Sequence, residues 1–138
     1  MASVLSQRSP RDAGGQRILH VADAARLFAP IADQPVEIAA FAYFDPEWRL
    51  LGIRHSLSAA ADTVPLSIRA VARDALAFDA RFAVMAHNHP SGDPRPSADD
   101  IIATRAVARM FDAIDVRLVD HLVLTRHGCT SLRAERMM

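Results

Sequence analysis

Two histidines one residue apart, followed by a serine and an aspartate, are the residues whose types and spacing best suit chemistry. They are His87, His89, Ser97 and Asp100, in the stretch MAHNHPSGDPRPSADD at 85–100. Side chains alternate along a strand, so His87 and His89 would point to the same side and could share one ion. Two imidazoles and a carboxylate supply three protein ligands, the number that catalytic zinc sites use while a fourth position stays open for water. The pattern therefore predicts an open metal site.

Each part of this motif also has an explanation that needs no metal. A His-x-His pair can occur in a strand by chance. The letters SADD before an apolar helix are typical of a capping box, with Ser97 as N-cap and Asp100 at the third helical position. The two interpretations are compatible, because a capped helix start would hold the Asp100 carboxylate still and favour negative charge there.

The candidate proton acceptor is Glu37, which lies in the apolar stretch VEIAAFAYF at 36–44. A buried, unpaired carboxylate would be strongly unfavourable unless a cation or a proton compensated it. The alternative is that Glu37 occupies the exposed start of a strand, directly after Pro35. The residue pattern leaves both possibilities open.

The pattern around these residues predicts a single α/β domain with a mixed sheet flanked by helices. A chain of 138 residues suits one compact domain. Residues 1–16 lack an apolar period, so we expect a disordered tail there and a folded domain over 17–138. The first predicted elements are a helix from Val21, closed by Pro30 and Pro35, and two strands at 36–44 and 48–55 joined by a turn at 45–47. A second helix is predicted from Pro65, with an apolar stripe at Ile68, Val71, Ala72, Ala75 and Leu76, and a strand follows at 81–87. The last predicted elements are one or two strands at 121–132, preceded by a helix with an apolar stripe at Ala103, Ala106, Val107, Met110, Phe111 and Ile114.

Composition excludes several classes of protein. All sixteen basic residues are Arg, so a lysine Schiff-base mechanism is ruled out. The formal net charge is zero and the charges are interspersed, which argues against a dedicated DNA-binding surface. The longest apolar run is too short for a membrane helix, no secretory signal is evident, and one cysteine cannot form an internal disulfide. We expect a cytoplasmic protein without a membrane partner.

Two further residues, His121 and Cys129, lie outside this motif. His121 could form a hydrogen bond to one of the metal ligands. A satisfied core or rim histidine is the favoured interpretation. Cys129 has no paired thiol, so a structural free thiol is favoured over a metal ligand.

The complete set of spacings resembles a known motif. Glu37, then His87-x-His89, seven residues, Ser97, two residues and Asp100, resembles the JAMM motif of the JAB/MPN metalloprotease superfamily. Three segments resemble the JAB domain of bacterial RadC-like proteins: AHNHPSGDPRPS, VDHLVL at 119–124 and DPEWRLLG at 45–52. The resemblance runs from about residue 34 to about residue 126.

This resemblance implies a JAB/MPN-like domain that binds one Zn²⁺ per chain through His87, His89 and Asp100. It further implies that Glu37 activates the water and that Ser97 supports the oxyanion. The expected activity is that of a zinc-dependent metallopeptidase or isopeptidase acting on a peptide or protein, including ubiquitin-like conjugates. The alternatives are a non-catalytic or DNA-associated accessory module that retains the metal, and a metal hydrolase of small amides.

Two departures from the family bear on these expectations. RadC-like chains often carry a helix-hairpin-helix region, for which we expect no room in 138 residues, so a DNA association is less favoured. The segment TVPLSIRAV at 63–71 differs from the family's Tyr-Pro-Arg-Glu text, and we expect a different specificity if it lines a substrate channel. The consecutive letters HNH do not indicate an HNH nuclease, whose named residues are dispersed.

Overall fold

The computed structural model describes residues 21–57 and 66–138, which form four helices and five strands. In chain order the elements are α1 (Val21–Leu27), α2 (Ala29–Ala32), β1 (Ile38–Phe44), β2 (Leu50–Leu57), α3 (Ile68–Ala77), β3 (Phe82–Asn88), α4 (Ala98–Ala113), β4 (Arg117–Thr125) and β5 (Gly128–Ser131). None of these helices is long and apolar enough to cross a membrane.

The five strands form one mixed sheet in the order β2-β1-β3-β4-β5. Strands β3 and β4 pair in parallel, and the other neighbours pair antiparallel. The predicted mixed sheet flanked by helices is therefore confirmed. Strand β3 lies in the interior of the sheet, where His87 is opposite Ala39 of β1 and Val123 of β4.

Alternation along the strands divides the core into two clusters, one on each face of the sheet. Helices α1 and α2 cover one face, and helices α3 and α4 cover the other. On β3, Val84 and Ala86 pack towards α1 and α2, whereas Ala83 and Met85 pack towards α3 and α4. By the same alternation His87 belongs to the α4 face and its neighbour Asn88 to the opposite face.

Helix α4 carries the candidate ligand Asp100 in its first turn, and the buried face of this helix fixes its orientation on the sheet. Thr104, Val107 and Phe111 are its buried residues, at intervals of three and four. This spacing keeps one face of α4 against the sheet. Val107 and Phe111 belong to the predicted apolar stripe, whereas the polar Thr104 does not.

Two details of the predicted elements need correction, and two others lie outside the described residues. Pro30 does not close the first helix but lies in the first turn of α2, where its missing N–H costs nothing. Leu76 was predicted to face the core but is 61% exposed, because α3 is buried through Val71 and Ala75 instead. The predicted tail at 1–16 and the helix start at Pro65 lie outside the described residues, so the division at residue 17 stays a prediction.

Candidate metal centre

Four side chains converge at the C-terminal end of β3. Glu37 comes from the residue before β1, His87 and His89 from the end of β3 and the position after it, and Asp100 from the first turn of α4. Their candidate ligand atoms all lie within 4.8 Å of one another. Among the described residues, no other group of three or more His, Cys, Asp or Glu side chains converges in this way.

Three of the four residues form a tight triangle. The Nε2 atoms of His87 and His89 are 2.8 Å apart. The Oδ2 atom of Asp100 lies 3.3 Å from His87 Nε2 and 3.2 Å from His89 Nε2. In a tetrahedral zinc site with ordinary bond lengths, neighbouring ligand atoms are about 3.4 Å apart. A zinc ion at the centre would therefore require these ligand atoms to separate by about 0.1–0.6 Å.

The donor and acceptor chemistry of the triangle also suits a cation. His89 Nδ1 is 2.8 Å from the carbonyl of Asp93, which can only accept, so this nitrogen carries the proton in the neutral ring. His89 Nε2 is then left with a lone pair that faces the Asp100 carboxylate. Acceptor atoms that face one another repel unless a metal ion or a proton lies among them. The residues present fit a divalent metal ion with mixed nitrogen and oxygen ligands.

A tight turn after β3 brings the Asp93 carbonyl to His89. The N–H of Gly92 donates to the carbonyl of His89 at 3.0 Å, and Gly92 has a φ of +85°. A side chain would be strained in this left-handed conformation, so glycine is required at this point of the turn. The turn thereby fixes which nitrogen of His89 faces the cluster.

The predicted capping box is present and holds Asp100. The Ser97 hydroxyl accepts the Asp100 N–H at 3.0 Å, and Asp100 Oδ2 accepts the Ser97 N–H at 2.8 Å. Burial acts to raise the pKa of the Asp100 carboxyl, but hydrogen bonds with His87 and His89 outweigh it and keep that pKa well below its usual range. The hydrogen bond with Asp100 in turn raises the pKa of His89. The Asp100 carboxylate therefore caps the helix and faces both histidines at the same time.

Glu37 lies at the edge of this group and not inside the apolar core. Its Oε1 is 3.9 Å from His87 Nε2, and its side chain is 43% exposed, against 4% for His87. Glu37 therefore occupies the exposed start of a strand, the alternative in which no buried charge needs compensation. From that position its carboxylate still faces the histidines.

Asn88, which the sequence analysis did not single out, holds the segment that carries Glu37. Its Oδ1 accepts the N–H of Ile38 at 2.6 Å. Its Nδ2 donates to the carbonyls of Gln34 at 3.2 Å and Val36 at 2.9 Å. Asn88 is fully buried on the sheet face opposite His87. The residue between the two histidines thus fastens the chain on both sides of Glu37.

His121 is buried and contacts the candidate ligand His87. Its Nε2 is 2.6 Å from His87 Nδ1, and its Nδ1 is 2.5 Å from the hydroxyl of Thr104. Burial lowers the pKa of His121 well below its usual value, which favours the neutral ring. His121 is thus a satisfied core histidine, as favoured, but its partner is the candidate ligand. Cys129 is an exposed free thiol on β5, outside the cluster.

Comparison with known proteins identifies the family. The family model of the RadC-like JAB domain matches residues 18–137. The chain belongs to this family. A UPF0758 protein of Bordetella avium is 34% identical over 99% of the chain, and one of Cupriavidus taiwanensis is 36% identical over 80%. A UPF0758 protein of Psychromonas ingrahamii is 33% identical over 78% of the chain.

This RadC-like JAB domain corresponds to only part of each relative. The matches cover 61% of the Bordetella protein, 49% of the Cupriavidus protein and 48% of the Psychromonas protein. The names of these relatives state no activity. The comparisons therefore show the family, and the structure shows the converging side chains.

Replacing Asn88 tests whether it supports the segment that carries Glu37. Asn88→Ala would leave the buried Ile38 N–H without its acceptor, and such a group costs about 1–3 kcal/mol. We expect the free energy of unfolding, measured by urea titration in the presence of a chelator, to fall by at least that amount. Asn88→Asp keeps an acceptor for Ile38 but turns a carboxylate oxygen towards two carbonyls, so it should be destabilised as well. An Asn88→Ala protein as stable as the wild type would show that these hydrogen bonds contribute nothing.

Proposed function

We propose that this RadC-like JAB domain is a zinc-dependent metallopeptidase or isopeptidase that hydrolyses an amide bond in a peptide or protein. One observation carries the proposal. His87, His89 and Asp100 bring three ligand atoms within 3.3 Å of one another, while the Glu37 carboxylate lies just outside, 3.9 Å from His87. Three close ligands and one more distant carboxylate suit a catalytic site better than a closed structural one.

The chemistry of the ligands favours zinc over other common divalent ions. Calcium and magnesium prefer shells made of oxygen atoms, whereas two imidazoles with one carboxylate are a usual zinc set. His87, His89 and Asp100 would hold the ion, one per chain. When bound, zinc would polarise the scissile carbonyl and lower the pKa of the attacking water.

Glu37 is the residue proposed to move the proton. Its carboxylate faces the cluster and retains access to solvent, since the side chain is 43% exposed. It would accept a proton from the attacking water and deliver it to the nitrogen of the leaving amine. The three hydrogen bonds of Asn88 to the flanking backbone would limit how far the carboxylate can move.

Ser97 is the residue proposed to stabilise the oxyanion. In the capping box its hydroxyl oxygen accepts the Asp100 N–H, which uses a lone pair and leaves the hydroxyl proton. That proton could be donated to the negative charge that develops on the substrate's carbonyl oxygen. Ser97 is exposed beside Asp100, so a substrate could approach it.

The class of substrate is proposed from the family resemblance together with the charge of the chain. JAB/MPN metalloproteases include enzymes that remove ubiquitin-like proteins, so a protein conjugate is a candidate substrate beside simple peptides. The zero net charge gives no support to DNA as the substrate. The described residues provide a proton acceptor beside the ligands, which supports an enzyme over an accessory module that retains the metal only for structure.

Conservative replacements of two carboxylates separate metal binding from proton transfer. Glu37→Gln removes the proton acceptor and keeps the shape, so zinc content should stay near that of the wild type while hydrolysis falls by about 10²–10⁴-fold. Asp100→Asn replaces the only anionic ligand, so zinc itself should be lost. Zinc content is measured by elemental analysis after gel filtration, and hydrolysis with peptide and isopeptide libraries.

Two results would contradict these roles. If Glu37→Gln loses zinc as readily as Asp100→Asn, Glu37 is a ligand and the proposed open site is wrong. If Glu37→Gln keeps full activity, another group accepts the proton.

Replacing Ser97 separates its capping role from its proposed catalytic role. Ser97→Ala should lower stability by about 0.5–2 kcal/mol through loss of the cap. It should also lower turnover by about 10²-fold or more through loss of an oxyanion donor. Ser67 caps α3 with the same kind of bond, to the N–H of Ala70 at 3.1 Å, and provides a matched control.

Ser67→Ala should lose similar stability and keep normal turnover. Both proteins are compared at a temperature where each stays folded, with stability measured by thermal unfolding. Equal turnover in the two variants would show that Ser97 is only a cap.

A further inference from the structure

A line of short hydrogen bonds runs behind the candidate metal centre and joins two of its ligands. His87 Nδ1 is 2.6 Å from His121 Nε2, and His121 Nδ1 is 2.5 Å from Thr104 Oγ1. The Thr104 hydroxyl then donates to the backbone carbonyl of Asp100 at 2.6 Å. The line therefore begins at the backbone of one ligand, Asp100, and ends on the ring of another, His87.

All the side chains in this line are excluded from water. His87 is 3% exposed, His121 is 1% exposed and Thr104 is fully buried. Water is therefore not at hand to replace a partner that is lost or turned the wrong way, and each polar atom depends on the next.

The direction of the hydrogen bonds follows from the backbone carbonyl of Asp100, where the line begins. A carbonyl oxygen can only accept, so the Thr104 hydroxyl must donate its single proton to Asp100. Thr104 Oγ1 can then only accept from His121, which places the His121 proton on Nδ1. The neutral His121 ring has a lone pair on Nε2, and this lone pair accepts the proton on His87 Nδ1.

The direction of the line determines the state of the candidate ligand. A neutral His87 with its proton on Nδ1 has its lone pair on Nε2, the nitrogen 3.3 Å from Asp100 Oδ2 and 2.8 Å from His89 Nε2. This is the tautomer that can bind a metal inside the triangle. The opposite tautomer would direct an N–H at the metal position.

We propose that Thr104 and His121 are positioning residues that fix the metal-binding tautomer of His87. They also hold the His87 ring so that its Nε2 faces the Asp100 carboxylate before the metal binds. The proposal rests on the proposed function in that it takes a metal ion as the ligand of this site. Thr104 lies on α4, His121 on β4 and His87 on β3, so three elements are joined behind the ligands. Partners of this kind typically contribute 10–100-fold to metal affinity.

The first test needs neither metal nor substrate. Long-range proton–nitrogen correlation spectra of the ¹⁵N-labelled, metal-free full chain report which ring nitrogen of each histidine carries a proton. We expect His121 to be neutral with its proton on Nδ1. A proton on Nε2 of His121 would overturn the proposal, because that nitrogen could then not accept from His87.

The second test measures zinc affinity by competition with a chromophoric chelator. Thr104→Val removes the hydroxyl at nearly constant shape and should weaken zinc binding by about 10–100-fold. Thr104→Ser retains the hydroxyl and should restore most of the affinity. Thr125→Val is the matched control, since Thr125 is also buried but its hydroxyl bonds only within the turn between β4 and β5.

The outcomes separate this proposal from the proposed function. Equal zinc affinity in Thr104→Val and Thr125→Val would overturn the role of Thr104. A Thr104→Val protein that only loses stability should keep a single His121 tautomer, whereas the proposal expects a mixture of tautomers. If the wild type binds no zinc, the proposed function fails, and the tautomer of His121 in the metal-free chain still decides whether the line has the stated direction.

Discussion

One carboxylate oxygen joins the start of helix α4 to the end of strand β3, and the candidate site is arranged around it. Asp100 Oδ2 accepts the N–H of Ser97 at 2.8 Å and lies 3.2 and 3.3 Å from the Nε2 atoms of His89 and His87. A helix start favours an anion, and an anion beside two imidazoles favours a cation. The same side chain can therefore cap the helix and bind a metal, which makes the position of α4 on the sheet a condition for the site.

The structure supports the ligands and the proposed base in different ways. His87 is almost fully buried in an interior strand, and Asp100 is held by the capping box. Glu37 precedes an interior strand and is half exposed, and the Asn88 side chain fastens the backbone around it. Metal binding should therefore depend on the sheet and α4, whereas proton transfer should depend on the segment before β1. A half-exposed Glu37 also avoids the free-energy cost of a buried charge.

Much of this arrangement follows from periodicity and spacing along the chain. The apolar strands, the stripe of α4 and the capping box at Ser97 are local patterns, and the structure contains each of them. Predictions from local patterns were wrong where the neighbouring sequence was compatible with two different structures. Pro30 can end a helix or begin one, and Leu76 was assigned to the core by its spacing alone.

The supporting residues were harder to predict because their partners are distant in sequence. Asn88 binds backbone atoms 50 to 54 residues earlier, and His121 binds His87 across 34 residues. Thr104 is a partial exception. It lies four residues after Asp100 on the buried face of α4, and a polar residue on such a face is a local signal of a hydrogen-bond partner.

A crystal structure of the zinc-loaded chain, with data collected on both sides of the zinc absorption edge, tests the central claim most directly. We predict one anomalous peak at about 2.0–2.2 Å from His87 Nε2, His89 Nε2 and Asp100 Oδ2. Glu37 should remain outside bonding distance of that peak. A fully occupied zinc bound elsewhere, or one that takes Glu37 as a fourth protein ligand, would contradict the account.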